Sequence, residues 1–357
     1  MAEDAEGMNV RRFGAVGDGA TDDTGAIQNA VDAAAERSDT IFFPPGIYAC
    51  STIKLRSRVG LAGHPAWSYR DNGGATLRLI DPSVSCLLDL TGAAGVTISG
   101  LCLDGGKVGT NAHGIMFDKK DYGKEEDAPR IERCRISRFT GDGIHLGRIW
   151  CFSIRSCMVA FNAGCGIRLR GWDGFILDNW LSGNGGAGLG AYEENSAITM
   201  NGNRIEWNRG GGIAVRGGNH YNITGNYFDR SGGPAISLLP RGERPCRHFS
   251  IAGNLIYRSG TPFGRRLDER ESCHVRIEGC RGLSLSGNTM AIGRDDGGKG
   301  EWSPRFGIVM SGLDDSVVAC NSMHEACLEK LILDLGGHGE NFSARDNVGS
   351  LFVPPKE

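Results

Sequence analysis

The stretch "GNRIEWNRGGGIAV", from Gly202 to Val215, is followed 23 residues later by "GNYFDRSGGPAISL", from Gly225 to Leu238. The two copies share Gly, Asn and aliphatic positions and differ in their charged residues. A period of roughly 20–50 residues is the sequence signature of a repeat architecture. The positions that hold the place of the asparagine in similar segments are Leu101, Cys134, Cys157, Asn179, Asn203, Asn226, Asn254, Asn288, Asn321 and Asn347.

The residues of each repeat are typical of short β-strands that stack on one another. Its central spacings are 23, 22, 24, 23 and 28 residues, and each unit alternates apolar and polar residues between Gly, Asn and Ser. Strands this short bury their apolar faces only when one coil stacks on the next. The chain lacks the Trp-Asp signature of propellers and the leucine spacing of leucine-rich repeats. We therefore predict an all-β chain, a parallel β-helix of about ten coils whose asparagines form a ladder of side-chain amides.

The beginning of the chain has a different pattern. The segment "TDDTGAIQNAVDAAAE", residues 21–36, predicts an amphipathic helix that Thr21 or Asp22 caps. We expect it to cover the open end of the coils, where strand edges are unpaired. We predict a single domain, with residues 1–60 as an N-terminal cap continuous with a β-helix of residues 61–357. The apolar face of the helix would contain Ile27, Ala30, Val31 and Ala34.

Residues 9–55, "NVRRFGAVGDGATDDTGAIQNAVDAA...TIFFPPGIYACSTIKL", resemble the opening segment of the pectin-lyase-like right-handed parallel β-helix superfamily. The resemblance implies a right-handed β-helix. The superfamily includes polysaccharide lyases, glycoside hydrolases, epimerases, fructan-converting enzymes and phage tailspikes. Since one fold hosts many reactions, the resemblance does not choose among them.

Two subfamilies can be compared residue by residue. The polygalacturonase-type hydrolases carry acids on successive coils; "TGDGIHL" resembles the first motif and places Asp142 there, but the next two coils lack the acids. The inulin fructotransferases are similar in "LCLDG", "YEENSAITMNGN" and "KLILDLGG". That resemblance places Glu194 and Asn195 on a family Glu-Asn pair, whereas Ala187 stands where a partner acid is expected.

The composition of the chain limits the cellular compartments and the classes of partner that we expect. The 357 residues include 56 Gly and carry a net charge of −3, so we predict no nucleic-acid partner. No apolar run is long enough to span a membrane, and the start "MAEDAEGMNV" lacks the pattern of a signal peptide. The 12 cysteines lack zinc-type spacing, and we expect buried free thiols. We therefore favour a cytoplasmic protein, with secretion or a periplasmic location as the alternative.

Alternation along the "GIxL" strands predicts which side chains face outwards. Gly190 and Ala214 are small residues in the middle of this face and would leave a groove. Tyr, Trp and carboxylates beside a groove suit sugar rings and their hydroxyl groups, so we predict an oligo- or polysaccharide partner. The charged and aromatic residues of the outward rows are Asp118, His145, Arg168, Arg170, Tyr192 and Arg216. The strand ends add Asp142, Trp172, Asp173, Glu193 and Glu194.

The first hypothesis is cleavage or transfer of a glycosidic bond by two carboxylates. Glu194 is the first choice as acid or nucleophile, with Glu193, Asp142 or Asp173 as its partner. Adjacent carboxylates raise the pKa of one of them, which suits a general acid. The residues predicted to bind the substrate are Asp118, Arg168, Arg170, Trp172 and Arg216.

The second hypothesis is a polysaccharide lyase or epimerase that acts on a uronate polymer. Arg168 or Arg170 would neutralise the sugar carboxylate, and His145 or Tyr192 would remove the C5 proton. The third is a non-catalytic glycan-binding or structural β-helix, for which a homotrimer is one assembly. We predict no cofactor and no metal ligands, because acidic pairs such as Asp314-Asp315 are common in turns.

Overall fold

The computed structural model describes residues 8–260, 268–292 and 303–353. The chain divides into two compact units, with the division between Phe175 and Ile176. In each unit the strands are short and pair in parallel with the strands of the next coil, so the predicted right-handed parallel β-helix is confirmed. The prediction of a single domain remains a prediction.

The first unit contains the helix α1 (Thr24–Ala35), one 3₁₀ turn and strands on three sheets. The 3₁₀ turn spans Val10–Phe13. The first sheet contains β5 (Ile53–Lys54), β8 (Cys86–Asp89), β11 (His113–Asp118) and the start of β14 (Ile144–Arg155). The second contains β1 (Met8–Asn9), β3 (Thr40–Phe42), β6 (Gly60–Ala62), β9 (Thr97–Ser99), β12 (Arg130–Glu132) and the end of β14. The third contains β2 (Asp18–Asp22), β4 (Gly46–Cys50), β7 (Ala75–Leu79), β10 (Cys102–Asp104), β13 (Arg135–Ser137) and β15 (Met158–Ala160). The strand β16 (Ile167–Leu177) begins in this unit.

The second unit repeats the three sheets and has a 3₁₀ turn at Glu269–Glu271. Its first sheet contains β18 (Leu189–Ala191), β21 (Ile213–Arg216), β24 (Ile236–Leu239), β27 (Cys273–Glu278), β30 (Phe306–Ser311) and β33 (Lys330–Asp334). The second contains β19 (Asn195–Asn201), β22 (Asn219–Thr224), β25 (Cys246–Ala252), β28 (Cys280–Ser286), β31 (Ser316–Ala319) and β34 (Phe342–Arg345). The third contains β17 (Trp180–Ser182), β20 (Arg204–Glu206), β23 (Tyr227–Asp229), β26 (Leu255–Tyr257), β29 (Thr289–Ala291), β32 (Ser322–His324) and β35 (Val348–Gly349).

The helix has the predicted apolar face but a different cap. Ile27, Ala30, Val31 and Ala34 are fully buried, as expected. The N-cap residue is Asp23 rather than Thr21 or Asp22. The side chain of Asp23 does not cap the helix, because its carboxylate accepts hydrogen bonds from the backbone N–H groups of residues 16 and 17. Thr21 and Asp22 lie at the end of β2, so the helix begins one residue later than an Asp22 cap requires, although the Asp22 carboxylate accepts the backbone N–H of Thr24 at 2.9 Å.

Repeated residues hold the coils of the second unit together. The side-chain N–H of Asn203 donates to the side-chain oxygen of Asn226 at 2.8 Å, and Asn226 donates to Asn254 at 3.0 Å. The same bond links every successive asparagine from residue 179 to residue 347. A buried amide without a partner would cost free energy, and here each amide is satisfied by the next. The predicted asparagine ladder is confirmed.

All twelve cysteines are free, and ten of them are buried. Cys134 and Cys157 occupy the asparagine position in the first unit, where they are buried and their thiols donate weak hydrogen bonds to main-chain carbonyls. Among the described residues, no helix has the length and apolar composition needed to cross a membrane.

Candidate functional site

The outward rows of the first sheet have the predicted register within each unit. In the first unit Met116 pairs with His145, and Asp118 pairs with Gly147. The backbone N–H groups of residues 143 and 144 donate to the carbonyls of residues 165 and 166, at 3.0 and 2.9 Å. This continuation of the ladder aligns Arg168 with His145, because both follow the inward isoleucine of their strand. In the second unit Gly190, Ala214 and Ser237 share one row.

Asp142 lies two residues before the start of β14, between two histidines. Its carboxylate is 2.9 Å from Nδ1 of His145 and accepts the backbone N–H of Cys165 at 2.7 Å. Its own backbone N–H donates to Nδ1 of His113 at 2.8 Å. The two imidazole rings lie 4.5 Å apart between centroids. The alternation of residues in the sequence predicted that Asp142 and His145 lie at this face. The third side chain, that of His113, comes from the preceding coil.

The hydrogen bonds fix the protonation of both rings. A carboxylate only accepts, so Nδ1 of His145 carries a proton, and in the neutral ring the lone pair is on Nε2. Nδ1 of His113 accepts a backbone N–H and therefore has no proton. Burial opposes ionisation of Asp142, but the hydrogen bonds from His145 and Cys165 and the nearby imidazoles outweigh it and lower its pKa. Burial and the adjacent His145 lower the pKa of His113, so this ring is neutral near pH 7.

This arrangement provides a positioned base. His145 is partly exposed, with 29% of its side-chain surface open to solvent, whereas His113 shows 8%. The ionised Asp142 stabilises the imidazolium that forms when Nε2 takes a proton. The pair can therefore remove a proton from a group that lies on the outer side of the first sheet.

The other residues of the first unit that were predicted to belong to the site lie in different environments. Asp118 is exposed, and Arg168 and Arg170 are partly exposed on the outward side of β16. The ring of Trp172 stacks on Tyr122, with centroids 3.8 Å apart. Asp173 accepts the indole N–H of Trp150 at 3.0 Å. Their roles as ligands for a substrate stay predictions.

The side chains of His113, Asp142 and His145 also form a group that a metal ion can use in principle, since their donor atoms lie within 4.8 Å of one another. Three of the possible ligand groups already have protein partners: Nδ1 of His113 accepts the backbone N–H of Asp142, and the Asp142 carboxylate is bound to Nδ1 of His145 and to the backbone N–H of Cys165. A metal ion would have to replace these hydrogen bonds. We therefore keep the prediction that no metal is bound here.

The second unit contains a separate pocket of 320 Å³ on its first sheet. Tyr192, Arg216 and Glu271 are among the residues that line it, and Ala187 and Ala214 contribute small side chains. The guanidinium of Arg216 lies 5.9 Å from the centroid of the Tyr192 ring, within reach of a cation–π contact. Of the two small residues from which a groove was predicted, Ala214 lines this pocket, whereas Gly190 is buried.

The two glutamates that the sequence favoured as catalytic groups lie directly after Tyr192. Glu194 is 3.9 Å from the guanidinium of Arg241. The backbone carbonyl of Glu193 accepts the side-chain N–H of Asn195 at 2.6 Å. The partner carboxylates Asp142 and Asp173 belong to the first unit, so the proposed carboxylate pairs stay predictions.

Sequence reasoning missed two residues of these sites. His113 stands two positions before Ile115 in "HGI", as Asp142 stands two positions before its isoleucine in "DGI", and this shared offset was the available signal. Glu271 lies in a 3₁₀ turn whose position depends on the insertion before it. The spacing between coils predicts the positions of residues within the repeat, so it does not predict a side chain on an inserted turn.

Two family models match parts of the chain. Residues 7–75 match the family described as rhamnogalacturonase A/epimerase, pectate lyase-like. Residues 142–292 match the family described as a right-handed beta helix region. The first match covers the segment on which the superfamily resemblance rests.

The chain is similar to mannuronan C5-epimerase AlgE6 of Azotobacter vinelandii, with 29% identity over 202 residues, 49% of this chain and 21% of the relative. The chain thus spans about a fifth of the length of that relative. The solved A-module of the same epimerase superimposes with a TM-score of 0.63 at 18% identity, covering 98% of this chain and 100% of the module.

A mutant DFA-IIIase from Arthrobacter chlorophenolicus A6, solved with DFA-III, gives a TM-score of 0.64 at 15% identity over 94% of this chain and 86% of its own. At these identities the structures show the fold alone. Together with the family matches, they confirm the predicted resemblance to the pectin-lyase-like right-handed parallel β-helix superfamily.

Proposed function

We propose that this chain, whose fold is a pectin-lyase-like β-helix, acts on a uronate polysaccharide. The proposed reaction begins with removal of the C5 proton of the sugar, as in a lyase or an epimerase. The observation that carries the proposal is the 2.9 Å hydrogen bond between Asp142 and Nδ1 of His145. It leaves Nε2 of His145 as a base on the partly exposed side of the first sheet.

The proposed reaction begins with transfer of the C5 proton of a uronate residue to Nε2 of His145. The C5–H electron pair remains on the sugar as a carbanion, stabilised by the adjacent carboxylate. In epimerisation, C5 takes a proton that derives from water from the opposite face, and the imidazolium of His145 returns its proton to water. In β-elimination, the pair forms a double bond between C4 and C5 while the C4–O bond breaks, and the leaving oxygen takes a proton.

Arginine chemistry supports a uronate substrate. Negative charge on the sugar carboxylate opposes removal of the C5 proton, and a guanidinium neutralises that charge through two parallel hydrogen bonds. The strand register aligns Arg168 with His145 on the same outward row. Arg168 is therefore the proposed carboxylate ligand, and Trp172 is a proposed platform for a neighbouring sugar ring.

The relatives point to the same chemistry. The similar sequences carry the name mannuronan C5-epimerase, which describes proton chemistry at C5 of a uronate polymer. This support is limited to the part of those proteins that the chain matches.

Glycosidic cleavage at Glu193 and Glu194 is the second candidate. The pocket beside Tyr192 and Arg216 favours it, since its 320 Å³ accommodate a sugar ring. The lowered pKa of Asp142 argues against Asp142 as the general acid of such a reaction, because an ionised carboxylate has no proton to give.

The test is incubation of the protein with mannuronan, polygalacturonate and a neutral fructan in deuterated water. Deuterium at C5 of recovered polymer indicates epimerisation, and ultraviolet absorbance of an unsaturated uronate indicates elimination. His145→Gln should abolish both signals, and Arg155→Ala, an exposed arginine at the end of β14, should retain them. Shorter products with neither deuterium nor a double bond would overturn the proposal in favour of glycosidic cleavage. Binding without turnover would indicate a glycan-binding module.

A further inference from the structure

A pocket of 360 Å³ lies on the outer side of the third sheet in the first unit. It is separate from the His145 site, which lies on the first sheet of the same unit. Loop residues 70–74 form one wall, and outward side chains of β7 and β13 form another. Four arginines line it, namely Arg70, Arg78, Arg135 and Arg138.

Arg135 is the most buried of the four, at 2% exposure. Its guanidinium donates to the backbone carbonyls of residues 68, 69 and 70 and to the side chains of Asn72 and Ser137. Among the described residues, no carboxylate lies within ion-pair distance of it. Burial lowers the pKa of Arg135, and the carboxylates of Asp104 and Asp71 act in the opposite direction. Because no direct ion pair neutralises it among the described residues, Arg135 adds positive charge to the pocket.

Arg78 and Arg138 are held in place by one buried carboxylate. Asp104 is fully buried and is bound by Nε of Arg78 at 3.4 Å and by Nε of Arg138 at 2.8 Å. Arg138 adds a second bond through one Nη atom. Within the described part of the chain, Arg78 binds Asp104 through Nε alone, so its two Nη groups remain as donors. The two guanidinium groups are oriented before any ligand arrives, which lowers the entropic cost of binding.

The charges of the pocket do not cancel. Four arginines give four positive charges, and Asp71 in the lining and Asp104 beneath it give two negative charges, which leaves an excess of two. The hydroxyl of Thr76, also in the lining, is a further donor on the same sheet. A site with clustered guanidinium groups and a hydroxyl matches a compact anion with several acceptor oxygens.

We propose that this pocket binds a doubly charged tetrahedral oxyanion, a sulfate or phosphate group that is either free or esterified to a sugar. The excess of two charges favours a dianion over the single charge of a carboxylate. Arg70 and Arg78 contact the anion directly. Arg138 binds Asp104 together with Arg78, and the buried Arg135 adds positive charge to the pocket.

Calorimetric titration of the whole protein with sodium sulfate and sodium phosphate, against sodium chloride at equal ionic strength, tests this. We expect saturable binding of sulfate or phosphate and none of chloride. Arg78→Gln should weaken binding about tenfold, the effect of losing one charge-assisted hydrogen bond. Arg155→Ala, an exposed arginine outside the pocket, should leave it unchanged.

Thermal unfolding of each variant checks that the fold is kept. If Arg78→Gln fails to fold, Arg70→Ala at an exposed position provides the same test. Galactose 6-sulfate binding at least tenfold more tightly than free sulfate identifies the ester as the ligand, and equal affinity identifies the free ion. The proposal is wrong if sulfate and phosphate bind no better than chloride, if monoanionic galacturonate binds more tightly than both, or if Arg155→Ala weakens binding as much as Arg78→Gln.

Discussion

Replacing Asp142 with Asn probes the proposed base without changing the shape of the side chain. One oxygen of Asp142 accepts the backbone N–H of Cys165 at 2.7 Å, and the other faces Nδ1 of His145 at 2.9 Å. An asparagine that keeps the bond to Cys165 must point its NH₂ group at His145. Nδ1 then becomes the acceptor, and the imidazole proton moves to Nε2, the atom that has to receive the C5 proton.

Loss of the correct tautomer in a His–Asp pair costs on the order of 10⁴ in turnover. His145 is partly exposed, so water partly restores the productive ring, and we expect a loss of about 10³ in the rate of C5 deuterium exchange. The KM should change little, because the Asp142 carboxylate faces His145 and Cys165. The free energy of unfolding should fall by about 1 kcal/mol, the difference between a charged and a neutral hydrogen bond.

The assay is the initial rate of deuterium incorporation at C5 together with urea unfolding at pH 7. Asp178→Asn is the matched control, since it removes the same charge from an exposed side chain that the proposed site does not include. It should retain the rate within a few-fold. A rate of Asp142→Asn above one tenth of the original, in a folded variant, would show that His145 is not the base.

Four further outcomes follow from the structure. His113→Gln should lower the exchange rate about tenfold and shift its pH profile, since the neutral ring accepts the Asp142 backbone N–H and packs on His145. EDTA should leave the exchange rate unchanged, because the Asp142 carboxylate and Nδ1 of His113 are engaged in hydrogen bonds. Asn226→Ala should lower the free energy of unfolding by about 2–4 kcal/mol by leaving buried partners unsatisfied, whereas exposed Asn201→Ala should cost under about 1 kcal/mol. Burial lowers the pKa of His274 to about 4, so its stabilising effect is complete above about pH 6.5 and is lost as the pH falls towards 4. Wild-type protein should lose about 3 kcal/mol more than His274→Gln across that range in urea unfolding, and equal losses would contradict this.

The coils were predictable because one physical requirement repeats along the chain. Asn203 and Asn226 recur where a buried turn needs an amide, and Ile213 and Ile236 recur where a strand faces the core. These local rules also placed His145 on the outward side of its strand, without knowledge of its partners.

Contacts that depend on insertions were not predictable. Arg135 binds carbonyls 65 to 67 residues earlier in the chain, on a loop that interrupts the repeat. No periodicity relates the two segments, because the loop follows its own turns. The cap of the helix was missed for a similar reason, since the carboxylate of Asp23 is used by backbone N–H groups outside the helix.

The asparagine ladder also determines how many residues can be inserted into this protein without breaking its hydrogen bonds. Each amide gives one hydrogen bond and takes another, so an additional coil copied from residues 203–225 brings a donor and an acceptor that fit both neighbours. An insertion of half that length would place an unrelated side chain between two amides. Tandem duplication of a whole turn is therefore the smallest lengthening of the second unit that leaves every amide with its counterpart.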